Sequence, residues 1–158
     1  MSVNPEAEML DDDTRLQIER KFNAPLERVW RAWTAAPDMM AWLGPPGSEV
    51  YKVDADVRVG GAYTLQMRAA NGDEHCLRGV YREVIERERL VFTWAWHTTP
   101  ERESLVTIQF STEGGQTRLR LMHERFADRK AAVAHGAGWT SSLDRLQECL
   151  AQEPSYPE

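Results

Sequence analysis

From Glu49 to His123 the apolar residues fall on every second position, run after run, and that alternation leaves few folds open. Tyr51, Val53, Ala55 and Val57 alternate with Lys52, Asp54, Asp56 and Arg58. Beyond a bend at Gly60-Gly61, Tyr63, Leu65 and Met67 continue the pattern. Asn71-Gly72, both tolerant of positive φ, marks a hairpin, and Leu77, Gly79 and Tyr81 follow. At Val84-Ile85 the alternation slips by one, which predicts a β-bulge near Glu83. A tight turn around Arg87-Glu88 leads to Leu90, Phe92, Trp94 and Trp96, and a polar loop to Val106, Ile108 and Phe110. Gly114-Gly115 turns the chain into Thr117, Leu119, Leu121 and His123. Six strands joined largely by hairpins make an antiparallel sheet, wet on one face, whose other face must be covered.

The cover comes from either side of this stretch. Residues 14–22 form one more strand, with Leu16, Ile18 and Phe22 on one parity and Arg15, Gln17, Glu19 and Lys21 on the other. Pro25 then suits the start of a helix carrying Leu26, Val29, Trp30 and Trp33 on one face. Pro37 breaks it, Asp38 to Leu43 form a second short helix, and Gly44-Pro45-Pro46-Gly47 ends that one. At the other end Asp128 is a natural N-cap for a helix reaching Ala151. Ala132, His135/Gly136, Trp139, Leu143, Leu146 and Leu150 form its inward stripe, along a rod on the order of 35 Å long. Gly136 and Gly138 interrupt that rod, each costing roughly 1 kcal/mol relative to alanine. A helix thinned at its middle, facing a curved sheet, is expected to leave a cavity.

The inward parities nominate the residues around that cavity: Tyr63, Leu65, Met67, Leu77, Tyr81, Phe92, Trp94, Trp96, Ile108, Leu121, His123, His135 and Trp139. Six tryptophans in 158 residues supply large apolar walls. A net charge of −6 argues against nucleic acid or an anionic membrane surface as partner. No apolar run approaches the ~20 residues of a membrane span, and the start of the chain lacks the pattern of a signal peptide. Cys76 and Cys149 are read as free thiols, so the expectation is a cytoplasmic protein. The four histidines show no ligand spacing, there is no phosphate loop and no Gly-x-Ser-x-Gly elbow, so neither a metal nor a cofactor is expected. The chain divides into a flexible arm (1–12), a single domain (13–151) and a tail (152–158).

The order of motifs resembles the START-like (Bet v 1-like, SRPBCC) superfamily, and within it the group related to the C-terminal domain of the activator of Hsp90 ATPase. The resemblance rests on Ala24-Pro25-Leu26-Glu27-Arg28-Val29-Trp30, Trp42-Leu43-Gly44-Pro45 and Val57-Arg58-Val59-Gly60-Gly61-Ala62-Tyr63. It continues through Gly79-Val80-Tyr81-Arg82-Glu83-Val84, Glu88-Arg89-Leu90-Val91-Phe92-Thr93-Trp94, Thr117-Arg118-Leu119-Arg120-Leu121 and Gly138-Trp139. It implies an α+β helix-grip fold, a curved antiparallel sheet wrapped around a long C-terminal helix with two short helices after the first strand. It also implies a cavity between helix and sheet.

The leading expectation is therefore non-catalytic binding of a small hydrophobic or aromatic molecule. Two other readings stand beside it: a small cyclase or hydrolase using His123 as acid or base, with Tyr63 or Tyr81 as its partner, and a chaperone-associated module that would stimulate an ATPase. A homodimer through a sheet edge or the short-helix end is compatible with the sequence.

Overall fold

Period two becomes strand and the capped apolar stripe becomes helix, in the order expected. The computed structural model describes residues 14–152 and the two-residue strand β1 (Glu8–Met9). Then follow β2 (Leu16–Phe22), α1 (Leu26–Thr34), α2 (Ala36–Trp42), β3 (Glu49–Ala55), β4 (Ala62–Arg68) and β5 (Glu74–Ile85). β6 (Arg89–Trp96), β7 (Ser104–Glu113), β8 (Gln116–Glu124) and α3 (Arg129–Ala151) complete the chain. One antiparallel sheet runs β1-β2-β8-β7-β6-β5-β4-β3, its seven longer strands curling around α3. The arm and the tail lie outside the described residues, apart from Gln152 and from Glu8 and Met9, which pair with Gln17 and Leu16. Among the described residues no helix is long and apolar enough to cross a membrane.

Local chemistry accounts for the corners. Gly114 and Gly115 both take positive φ (57° and 85°), the requirement of a two-residue turn matched to strand twist. At the other expected hairpin only Gly72 does so (93°), while the Asn71 side-chain oxygen accepts the Asp73 N–H at 2.9 Å. The bulge near Glu83 is present as a register shift between Tyr81 and Glu83. A second bulge, between Val50 and Lys52, was not expected. It reverses the start of β3: Val50 and Val53 point inward, and Tyr51 turns out to solvent, where its hydroxyl donates to Glu74 at 2.9 Å. Arg20 is a further departure. It shares the inward parity of Leu16, Ile18 and Phe22, is 3% exposed, and its guanidinium meets Asp144 of α3 at 3.0 Å.

The core lies between sheet and helices. Asp128 caps α3 by accepting the Ala131 N–H at 2.8 Å, and the Arg28 guanidinium of α1 closes the far end on the carbonyls of Cys149, Leu150 and Gln152. Trp33 and Trp42 meet edge to face at 4.6 Å beneath α3. Gly79 is held by contact rather than by conformation. It pairs with Tyr63, whose hydroxyl donates to the Thr93 carbonyl at 2.6 Å, so the phenol ring passes over the glycine. A β-carbon there would stand 1.9 Å from Thr93 O and 2.6 Å from Tyr63 Cε1. Gly79→Ala is accordingly expected to destabilise the protein by about 2–3 kcal/mol in chemical denaturation, because the blocking atom is backbone and cannot yield.

Candidate ligand cavity

Helix α3 buries Ala132, Gly136, Trp139, Leu143 and Leu146 in the core, but the packing opens at Gly138. A β-carbon built on Gly138 would meet nothing within 4 Å. The space beside it is a cavity of about 350 Å³. Leu65, Met67, Leu77, Trp94 and Trp96 of the sheet form one wall, and Ala134, His135, Ala137, Gly138, Trp139 and Ser142 of α3 form another. The third is the loop after α2: Leu43, Gly44, Pro45 and Pro46. Pro45, Pro46, Ala134 and Ala137 are exposed, so the mouth lies between that loop and the first half of α3. No acidic or basic side chain contributes to the lining apart from the imidazole of His135.

Hydrogen bonds hold these walls in fixed positions. The Trp96 indole donates to His135 Nε2 at 3.0 Å, leaving the proton on Nδ1, which donates to Ala131 O at 2.8 Å. The Trp139 indole donates to His123 Nδ1 at 2.9 Å, which puts the His123 proton on Nε2, bonded to Ser104 Oγ at 2.7 Å. Ser104 in turn donates to Trp94 O at 3.2 Å. Burial, with His135 nearby, holds His123 well below the ordinary imidazole value of 6.5. Burial also lowers His135, against the opposing pull of its bond to Ala131. Both rings are therefore neutral, with opposite tautomers set by two indole donors. Burial pushes the Tyr81 phenol up to about 12 and Tyr63 well above its usual 10, so neither carries charge. The loop is tied to α3 as well. Ser142 Oγ donates to Gly44 O at 2.9 Å, and the Arg145 guanidinium donates to the carbonyls of Trp42, at 3.2 Å, and Gly44.

Residues 23–151 match the family model described as Activator of Hsp90 ATPase homolog 1-like protein. The chain belongs to this family. It is similar to the AHSA1 protein from Silicibacter pomeroyi, at 30% identity over 87% of this chain and 97% of that one, with a TM-score of 0.77. A protein from Chromobacterium violaceum is 28% identical over 89% of this chain and 99% of that chain, TM-score 0.81. A third, from Nitrosomonas europaea, shares the fold at 22% identity, covering 93% and 100%, with a TM-score of 0.79. A comparison with curated proteins returns no match.

The structure divides the residues nominated from the sequence. Leu65, Met67, Leu77, Trp94, Trp96, His135 and Trp139 line the cavity. Tyr63, Tyr81 and Phe92 do not reach it; they surround a void of about 20 Å³ deeper in the core, room for one water at most. Ile108 and Leu121 are fully buried core. His123 is also fully buried, behind Trp94 and Trp139, with both ring nitrogens occupied, and it has no open path to a substrate. Its Nδ1 accepts the Trp139 indole N–H, which holds that ring in place. Leu43, Gly44, Pro45, Pro46, Ala134, Ala137 and Ser142 also line the cavity and are not among the residues nominated from the sequence, where Gly44-Pro45-Pro46 reads as a helix stop. Pro-Pro between two glycines was the available signal, since a rigid pair flanked by turns suits a wall. Among the described residues no three His, Cys, Asp or Glu side chains converge as a metal site, and Cys76 and Cys149 are unpaired thiols.

Proposed function

We propose that this protein binds an uncharged hydrophobic or aromatic small molecule in the cavity beside Gly138, without catalysing its conversion. The observation that carries the reading is the open space at Gly138, in a chamber of about 350 Å³ walled by three tryptophans, aliphatic side chains and no charged carboxylate, ammonium or guanidinium group. A cavity of about 150 Å³ takes benzene, so this chamber suits a guest on the order of two fused rings. A charged guest would lose its hydration and gain no counter-charge, which selects for neutral molecules.

The test is a panel of neutral aromatic and aliphatic molecules titrated into the protein with tryptophan fluorescence as readout. Binding is expected to quench Trp94, Trp96 and Trp139. Gly138→Leu is expected to fill the chamber and weaken binding by at least about tenfold. It should leave stability unchanged or raise it by up to about 1 kcal/mol, because leucine is the better helix former. Absence of binding across the panel by the unaltered protein would sink the proposal. Carboxylate analogues of any ligand found are expected to bind more weakly than their neutral parents.

A further inference from the structure

We propose a second binding site, on the outer face of the sheet, for a small oxyanion: a carboxylate or phosphate group held between Arg82 and Arg125. The two arginines border one groove of about 230 Å³ on the side of the sheet away from α3. Each arrives there through a local irregularity of the backbone. Arg82 is the extra residue of the β5 bulge, since Tyr81 and Glu83 pair with the adjacent Phe92 and Val91 and leave it without a partner in the ladder. Bulges of this kind re-aim a side chain. Arg125 sits just past β8 with φ of +68°, a left-handed backbone that glycine or asparagine adopts more readily. It is held there because the next residue, Phe126, is anchored: its N–H donates to Thr14 O at 3.0 Å and its ring packs 4.2 Å from that of His123. Two separate departures from regular geometry thus deliver guanidinium groups to the same place.

Charge and floor fit an anion. Arg58, Arg68, Arg89, Arg118 and Arg120 each lie against a carboxylate, whereas neither Arg82 nor Arg125 has one within 4.0 Å among the described residues. The floor is Val91 and Thr93, only 8% and 4% exposed. Guanidinium pairs at the edge of a sheltered floor recognise planar or tetrahedral oxyanions through paired N–H donors. Glu103 also borders the groove and opposes an anion, leaving a net charge of +1 from the two arginines and this glutamate. The apolar side chains of Val91 and Leu105 give a carboxylate with a ring or short chain somewhere to lay its body.

The arginine Nε–Hε resonances of the ¹⁵N-labelled full chain report directly on this groove. Inorganic phosphate and benzoate are titrated separately at constant ionic strength, in the unaltered protein and in Gly138→Leu, where the inner cavity is filled. Saturable shifts at Arg82 and Arg125 with either probe, and stationary signals at Arg118 and Arg120, are the expected result. Arg82→Gln and Arg125→Gln are each expected to weaken binding about tenfold, and Glu103→Gln to tighten it roughly threefold. Arg125→Gly should lose binding while raising the unfolding temperature, since it removes the guanidinium and relaxes the backbone together. Linear shifts with both probes, equal shifts spread over Arg118 and Arg120, or unchanged binding by the Arg82→Gln/Arg125→Gln double variant would each overturn the site.

Discussion

Truncating Trp139 to alanine is expected to cost the fold about 3–5 kcal/mol, one of the two largest effects anticipated for this chain. The indole is 4% exposed and lies at the junction of every layer. It stacks on Trp33 of α1 at 5.8 Å and tilts against Trp94 of β6 at 5.0 Å. It also donates the 2.9 Å hydrogen bond that fills His123 Nδ1. Alanine removes the packing and strands a buried acceptor, a loss of about 1–3 kcal/mol on its own. Trp139→Phe separates the two contributions, since phenylalanine keeps most of the contact and cannot donate. It is expected to cost about 1–3 kcal/mol. Urea unfolding of both variants checks the pair. A change under about 1 kcal/mol for alanine would show that the indole is not packed as described. The ligand readout moves differently: alanine enlarges the chamber at its inner end, so guests too large for the unaltered protein are expected to enter.

The position of Trp139 was legible in the sequence because helical spacing and strand alternation are strong, redundant signals. Leu90, Ile108, Leu119 and Leu121 were placed inward by period two, and each is fully buried. The same rule failed where one residue was inserted without a visible slip in the alternation. At Tyr51 a bulge exchanged the faces of β3, and nothing in Glu49-Val50-Tyr51-Lys52 distinguishes that run from a regular strand. Arg20 sits on an apolar parity, and only its distant partner Asp144, on α3, makes the position tolerable. The cavity was anticipated from Gly136 and Gly138, yet the division between wall and core was not. Alternation says which face a side chain takes, not how far along the helix the gap extends. Tyr63, Tyr81 and Phe92 therefore fell behind the cavity and Leu43 to Pro46 at its mouth, for reasons that belong to tertiary packing alone.

Acidification should loosen the same junction. His123 and His135 are neutral in the folded protein because burial disfavours their charged forms, and each accepts an indole N–H that an imidazolium could not accept. Unfolded, both rings return toward 6.5 and take up protons below that pH. The unfolded state then binds more protons than the folded one, so stability is complete above about pH 7 and falls as pH drops from 6.5 toward the lowered folded values. The slope is up to about 1.4 kcal/mol per pH unit for each ring, hence up to about 2.8 when both contribute. Glu19, held below its usual 4.5 by bonds to Arg120 and Arg118, loses its contribution only at lower pH. Thermal unfolding between pH 7.5 and 5 is therefore expected to show a steady fall in midpoint. His123→Gln keeps a carbonyl that can accept from Trp139 and cannot titrate, so it should reduce the slope by about half at most. A midpoint independent of pH across this range would mean that the histidines are solvated in the folded state, and the indole–imidazole pairs that position the chamber walls would have to be abandoned.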